Sequence, residues 1–169
     1  MDCKVEKMPA FRVIGFFKHI PVNEGFTQCP KFWDRVENKY FSRLDDGSDI
    51  SKAVLANKVG ELAVCLHEPD DKEFFGYMIA GFYKNGELPV GMTAYEFKAS
   101  KWAKFRCVGA MPDAIQRLSE RIWQEWIPNS TYYEPLNDNC IEWYSDGDTT
   151  ADDYIAEVWI PVRDKPLTK

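Results

Sequence analysis

The C-terminal third of the chain contains a nearly uninterrupted apolar stretch, Tyr154-Ile155-Ala156-Glu157-Val158-Trp159-Ile160-Pro161-Val162. Its length and its β-branched and aromatic content predict a strand, and its apolar residues on both alternating faces predict burial on both sides. Glu157 is the one carboxylate of the stretch, on the same predicted face as Ile155 and Trp159. Because an unpaired carboxylate in apolar surroundings is costly, we expect Glu157 to be protonated, paired or facing a cavity.

A second carboxylate lies in the preceding predicted strand, Cys140–Ser145, where Cys140, Glu142 and Tyr144 share one face and Ile141 and Trp143 share the other. If this strand neighbours that of Glu157, the two carboxylates can approach one site, and like charges raise one pKa. The alternatives are a solvent-facing Glu142 and a Glu157 that forms a salt bridge with a lysine or arginine, or faces water. The acidic segment between the strands, Asp146–Asp153, predicts a solvated hairpin turn and not a calcium loop.

Further from this stretch, the same order of elements occurs twice along the chain. The first set comprises strand Phe11–Ile20, a helix of about 14 residues that starts at Pro30, and strands Glu61–His67 and Glu73–Tyr83. The second set comprises strands Met92–Ala99 and Lys101–Val108, a helix from Pro112 to Pro128, and strands Cys140–Ser145 and Asp153–Val162. The secondary structure of residues 48–58 is ambiguous from the sequence, and residues 129–139 are predicted to form a loop.

This repeated order predicts an α+β fold of two similar halves, about 1–86 and about 87–165, within a single domain of residues 1–169. The sheets of the two halves are expected to be antiparallel and to meet. The cleft between two like halves is a natural ligand site.

Composition narrows the class of partner. The chain has 169 residues, 21 Lys and Arg against 27 Asp and Glu, and a formal charge of −6, which argues against binding to a nucleic-acid backbone. No apolar run is long enough to span a membrane, and the first residues lack a signal-peptide pattern. The five widely spaced cysteines indicate reduced thiols in a cytoplasmic protein. With two histidines and no nucleotide or metal motif, the sequence predicts no metal and no cofactor.

Aromatic residues make up 15% of the chain. Those at helical spacing are expected in the core, whereas those on predicted strands can line a pocket; the latter are Phe17, Tyr77, Tyr95, Trp102, Trp143, Tyr144 and Trp159. A cation over an aromatic face gains roughly 0.5–2 kcal/mol. A carboxylate with two or three such rings therefore indicates a site for a lipophilic cation.

Three segments of the chain resemble the GyrI-like family, which includes the effector-binding domains of bacterial transcription activators and the gyrase-inhibitory proteins. Ile141-Glu142-Trp143-Tyr144, an acidic turn and the stretch 154–162 resemble the end of that family. Phe11-Arg12-Val13-Ile14-Gly15-Phe16 resembles its first strand, and residues 91–105 resemble the strands before its second helix. The resemblance covers nearly the whole chain.

The resemblance implies two strand-helix-strand-strand repeats related by a pseudo-twofold axis, with a ligand groove between them. It also implies a binder of bulky aromatic or cationic drugs and effectors, with a role in drug resistance or transcription regulation. A buried glutamate that neutralises the cation corresponds to Glu157, with Glu142 as the other glutamate of the motif and Tyr144 and Trp159 as the nearest aromatic partners. The first predicted strand begins close to Met1 and only a short tail follows the last, so we expect a stand-alone domain without a DNA-binding segment.

Two other classes of function stay open. Some GyrI-like relatives hydrolyse strained electrophiles, and Glu142 or Glu157 could then activate water. Gyrase-inhibitory relatives suggest instead an inhibitor or regulator that binds a protein such as a topoisomerase or a transcription component. The leading hypothesis is a binding module with no catalytic residue.

Overall fold

The computed structural model describes residues 1–84 and 86–166, which form two compact units. The central unit comprises Ala10–Lys98, and the terminal unit comprises Met1–Pro9 together with residues 99–166. Within the described residues the strands are β1 Cys3–Met8, β2 Phe11–Pro21, β3 Leu62–Leu66, β4 Phe74–Phe82, β5 Thr93–Phe97, β6 Ser100–Val108, β7 Tyr133–Pro135, β8 Cys140–Tyr144 and β9 Ile155–Asp164. The helices are α1 Gly25–Lys39, α2 Asp49–Asn57, α3 Asp113–Arg121 and α4 Ile127–Asn129.

The central unit is an antiparallel sheet in the order β5–β2–β4–β3, with α1 packed on one face. Helix α1 buries Phe32 and Val36, and the following turn stacks Tyr40 on Phe16 of β2 with ring centroids 4.3 Å apart. Gly15 lies where β2 meets β4 so closely that a Cβ would collide with the carbonyl of Ile79. A glycine is therefore required at this position.

The terminal unit repeats this arrangement in the order β1–β6–β9–β8, and β7 also pairs with β9. Apolar side chains of β6 and β9 pack against Ile115 and Leu118 of α3 and against Ile122, which follows it. In each unit the strand before the helix lies between an edge strand and the last strand of the repeat. The predicted α+β fold with two strand-helix-strand-strand repeats is thus confirmed.

The two compact units do not coincide with the two repeats, about 1–86 and about 87–165, because the edge strands are exchanged. β1, at the N-terminus, pairs with β6 of the second repeat, and β5 pairs with β2 of the first. Sequence reasoning missed β1 because Cys3-Lys4-Val5-Glu6-Lys7-Met8 is short and the adjacent charges of Glu6 and Lys7 interrupt the alternation that would indicate a strand.

The helices differ from expectation mainly at their ends. α1 begins at Gly25 and ends at Lys39, so Pro30 lies inside the helix and not at its start. The ambiguous segment forms α2, whose first turn is capped by the Ser48 hydroxyl accepting from the Ser51 amide. α3 continues into a π-helical turn, Ile122–Trp126, and then into α4. Among the described residues, no helix has the length and apolarity needed to span a bilayer.

Candidate ligand-binding site

Strand β9 presents Glu157 on the sheet face of the terminal unit that is turned away from α3. Its direct neighbours across the sheet are Arg106 of β6 and Trp143 of β8. Val158, one residue on, points to the opposite face and packs in the core beneath α3. The register therefore defines a Glu157 face, whose members include Lys4, Glu6, Trp102, Lys104, Arg106, Glu134, Ile141, Trp143, Ile155, Glu157, Trp159 and Arg163.

Glu157 is half-buried, and its carboxylate accepts a hydrogen bond of 2.6 Å from the indole Nε1 of Trp159. Across residues 1–84 and 86–166 the structure records no ion pair of Glu157 within 4.0 Å. The hydrogen bond and charge of Glu6 raise the pKa of Lys4, and the charge of Glu157 adds a smaller contribution. Glu157 is therefore hydrogen-bonded to a neutral donor, with cationic side chains nearby on the same face.

The ring of Trp159 makes a cation–π contact with a lysine side chain of the same protein. The Lys104 ammonium lies 3.7 Å from the ring centroid, and Trp159 is only 6% exposed. Glu6 of β1 holds Lys104 at 2.5 Å and Lys4 at 2.7 Å. The hydrogen bonds from these two lysines lower the pKa of Glu6 to about 2, and the bond from Lys104 contributes more. The network Glu6–Lys104–Trp159–Glu157 thus runs across three neighbouring strands.

Glu142 lies on the other face of the sheet, and this corrects the hypothesis that the two carboxylates approach one site. Its register partner is Val158, and Tyr144 is opposite Ala156, so both side chains point to the α3 side. The Tyr144 hydroxyl donates a hydrogen bond of 2.6 Å to Glu142. Burial raises the pKa of the Glu142 carboxyl, and the Tyr144 hydrogen bond opposes that effect.

The other predicted aromatic residues separate by face. Trp102 is fully buried and Trp143 half-buried on the Glu157 face. In the central unit, Tyr77 lies under α1, where its hydroxyl accepts a hydrogen bond of 2.9 Å from Trp33 Nε1. Phe17 and Tyr95 lie on the opposite face of that unit's sheet, since Phe17 is adjacent to Lys18, the register partner of Tyr77, and Tyr95 pairs with Val13.

The central unit also contains an open groove of about 450 Å³ between α2 and the segment Gly86–Val90. Its walls carry Asp49, Lys52 and Glu87, and the described residues that line it include no aromatic side chain. The groove therefore does not match the aromatic site that the sequence predicts.

A family model described as the GyrI-like small molecule binding domain matches residues 1–163. The chain belongs to the GyrI-like family. Its domain is therefore a small-molecule binding domain. A search of curated protein sequences found no significant match.

Solved structures share the fold of this GyrI-like domain. SAV2435 bound to tetraphenylphosphonium has a TM-score of 0.77 and 24% identity, over 96% of this chain and 94% of that one. A putative bacterial transcription regulation protein from Staphylococcus aureus MU50 has a TM-score of 0.76 and 24% identity, over 96% and 99%. The EcmrR C-terminal domain has a TM-score of 0.57 and 15% identity, over 96% and 97%. A putative transcription regulation protein is thus among the proteins that share this fold.

Sequence reasoning missed Glu6 and Lys104. The signal for Lys104 was present, since it is a lone cation in the otherwise apolar run Trp102–Phe105, just as Glu157 is a lone carboxylate in β9. Glu6 could not be assigned because β1 itself was not predicted. In the described residues there is no cluster of three or more His, Cys, Asp or Glu side chains arranged to hold a metal ion.

Proposed function

We propose that this GyrI-like domain binds a bulky, aromatic organic cation, with Glu157 as the counter-charge and Trp159 and Trp143 as apolar partners. The observation that carries the proposal is the set of contacts that Glu157 makes. It lies beside two tryptophans, is held by an indole N–H, and has no ion pair within the described residues. The bound tetraphenylphosphonium of SAV2435, a protein of the same fold, supports the choice of ligand class.

The affinity is expected to come from apolar burial with one charge pair added. Buried apolar area contributes roughly 25 cal/mol per Å², so several aryl groups contribute most of the binding free energy. A cation whose charge is shielded by aryl groups loses little hydration on entry, which limits the desolvation cost of its pairing with Glu157. Phe17, Tyr95 and Trp102 stay predictions as further ligand contacts, and Tyr77 and Tyr144 are committed to internal hydrogen bonds.

Replacement of Glu157 by Gln tests the counter-charge. Glu157→Gln keeps an acceptor for the Trp159 indole but removes the charge, so we expect the Kd for tetraphenylphosphonium to rise about tenfold or more, which is about 1.4 kcal/mol. Isothermal titration calorimetry measures this change. Glu142→Gln is the matched control, because its carboxyl faces α3, and it should leave the Kd unchanged. Equal affinity of wild type and Glu157→Gln, or no binding by the wild type, contradicts the proposal.

Binding without turnover is part of the proposal, as an effector-sensing or drug-sequestering role requires. Hydrolysis is the enzyme-class alternative, and the Glu142–Tyr144 pair, a carboxyl of raised pKa beside a hydroxyl donor, is the arrangement that favours it. Mass spectrometry of an electrophilic ligand after long incubation separates the two. An unaltered ligand mass is expected, and water addition over many equivalents would establish an enzyme. A protein partner remains a separate prediction of the sequence.

A further inference from the structure

The cation that lies over the Trp159 ring is a side chain of the protein, Lys104. Lys104 and Trp159 are directly opposite in the β6–β9 register, and the Lys104 ammonium lies 3.7 Å from the centre of the ring. The Lys104 side chain is only 15% exposed, so it covers the ring and holds much of its own length out of water. The same indole donates to Glu157. The aromatic partner of the proposed counter-charge is therefore already occupied by a lysine.

The arrangement of charges keeps Lys104 in place. Glu6 contacts Lys104 at 2.5 Å and Lys4 at 2.7 Å, and its depressed pKa means that it stays ionised across the neutral range. The Glu157 face as a whole carries the cations Lys4, Lys104, Arg106 and Arg163 against the carboxylates Glu6, Glu134 and Glu157. Its net charge is positive by one, so the face as it stands does not attract cations indiscriminately.

We propose that Lys104 is a specificity-determining residue of the binding site, an internal cation that competes with the ligand for Trp159 and repels compact cationic groups. The proposal rests on the proposed function, since it concerns the same site. A small primary amine can offer Trp159 only a cation–π contact, which Lys104 already makes. Because Lys104 is tethered to the same protein, its effective concentration at the ring is high and a small amine competes poorly with it. A tetraaryl cation also brings apolar area that the lysine lacks. The ligand class is thereby restricted to large cations with shielded charge.

Two ions of the same size and shape and of opposite charge isolate the contribution of Lys104. Tetraphenylphosphonium and tetraphenylborate have matching apolar bodies, so the ratio of their Kd values reports the electrostatics of the site. Lys104→Met removes the charge and retains most of the side-chain length. We expect tetraphenylphosphonium to bind about three- to tenfold more tightly and tetraphenylborate to bind more weakly by a similar factor. Calorimetry at low and at high salt measures both ions.

The matched control is Lys101→Met, on the same strand. Lys101 is opposite Val162, which packs in the core beneath α3, and it pairs with Asp164 at 2.6 Å, so its removal should leave the ratio of the two Kd values unchanged. Lys104→Gln replaces the methionine variant if that variant does not fold. A purely structural role would shift both ions in the same direction. That result, or an unchanged ratio, overturns the proposal.

The two proposals fail in distinguishable ways. An unchanged ratio in Lys104→Met with a weakened cation in Glu157→Gln overturns the role of Lys104 alone. A raised preference for the cation in Lys104→Met with no effect of Glu157→Gln supports Lys104 and overturns Glu157 as the counter-charge.

Discussion

At the scale of single residues, two carboxylates of the terminal unit respond to their surroundings in opposite ways. Burial raises the pKa of Glu142, whereas hydrogen bonds from two lysines lower the pKa of Glu6 to about 2. Glu6 therefore stabilises the fold above its ordinary pKa of 4.5, and this stability is lost as the pH falls toward 2. Glu142 has the opposite effect on the pH dependence of stability, because the folded state binds the proton of this carboxyl more tightly than the unfolded chain does.

Glu142→Gln should remove a pH-dependent loss of stability. In the wild type, the free energy of unfolding from this group falls as the pH rises above 4.5, the ordinary pKa of Glu142, through its raised value. Glutamine can still accept the Tyr144 hydrogen bond, so the variant should be more stable than the wild type at neutral pH and lose that advantage below pH 4.5. Urea unfolding at a series of pH values measures the difference. A difference that does not depend on pH would show that Glu142 titrates as it does in the unfolded chain.

At the scale of elements, the contact between β2 and β4 depends on a glycine. A Cβ at Gly15 would collide with backbone atoms of Ile79 and Ala80, which cannot turn aside as a flexible side chain can. Gly15→Ala should therefore lower the free energy of unfolding by about 3 kcal/mol or more.

Gly25→Ala is the control for this prediction, with thermal and denaturant unfolding as the measurement. At Gly25, in the first turn of α1, a new Cβ would meet Phe75 at an ordinary 3.5 Å. Alanine also favours the helix, so this variant should match or slightly exceed the wild type in stability. A similar small effect at both glycines would mean that β2 and β4 can separate at little cost.

The elements themselves were largely predictable, and their ends were not. Strands β4, β6 and β9 are rich in apolar and aromatic residues, so the pattern predicts them with ends displaced by up to two residues. The N-terminal end of α1 was placed too late, because Pro30 is a common first-turn residue and here lies a full turn further in. β1 was missed because three of its six residues are charged and Glu6 and Lys7 are adjacent, which is typical of an exposed segment.

At the scale of the whole molecule, the exchanged edge strands couple the N-terminus to the second repeat. β1 covers the edge of β6 and supplies Glu6, which positions Lys104 over Trp159. A variant that begins at Ala10 should therefore lose stability in the terminal unit first. Hydrogen exchange should rise more in β6 than in β2 or β4, and the Kd ratio of tetraphenylphosphonium to tetraphenylborate should change as the anchor of Lys104 is lost.

Glu6→Gln is the control for that truncation. It keeps the backbone pairing of β1 with β6 and removes only the ion pairs, so the protection of β6 should stay near that of the wild type. Equal exchange in β6, β2 and β4 after truncation would mean that β1 does not stabilise the terminal unit.

Local pattern is enough to predict most of the elements, the two repeats and Glu157 as a lone carboxylate in an apolar strand, because each of these depends on residues close together in the chain. Pairing between distant strands decided the rest. Register alone separates Glu142 from Glu157, since one residue along a strand reverses the face of the sheet. The exchange of β1 and β5 and the placement of Lys104 over Trp159 likewise depend on which strands meet, a choice made by long-range packing.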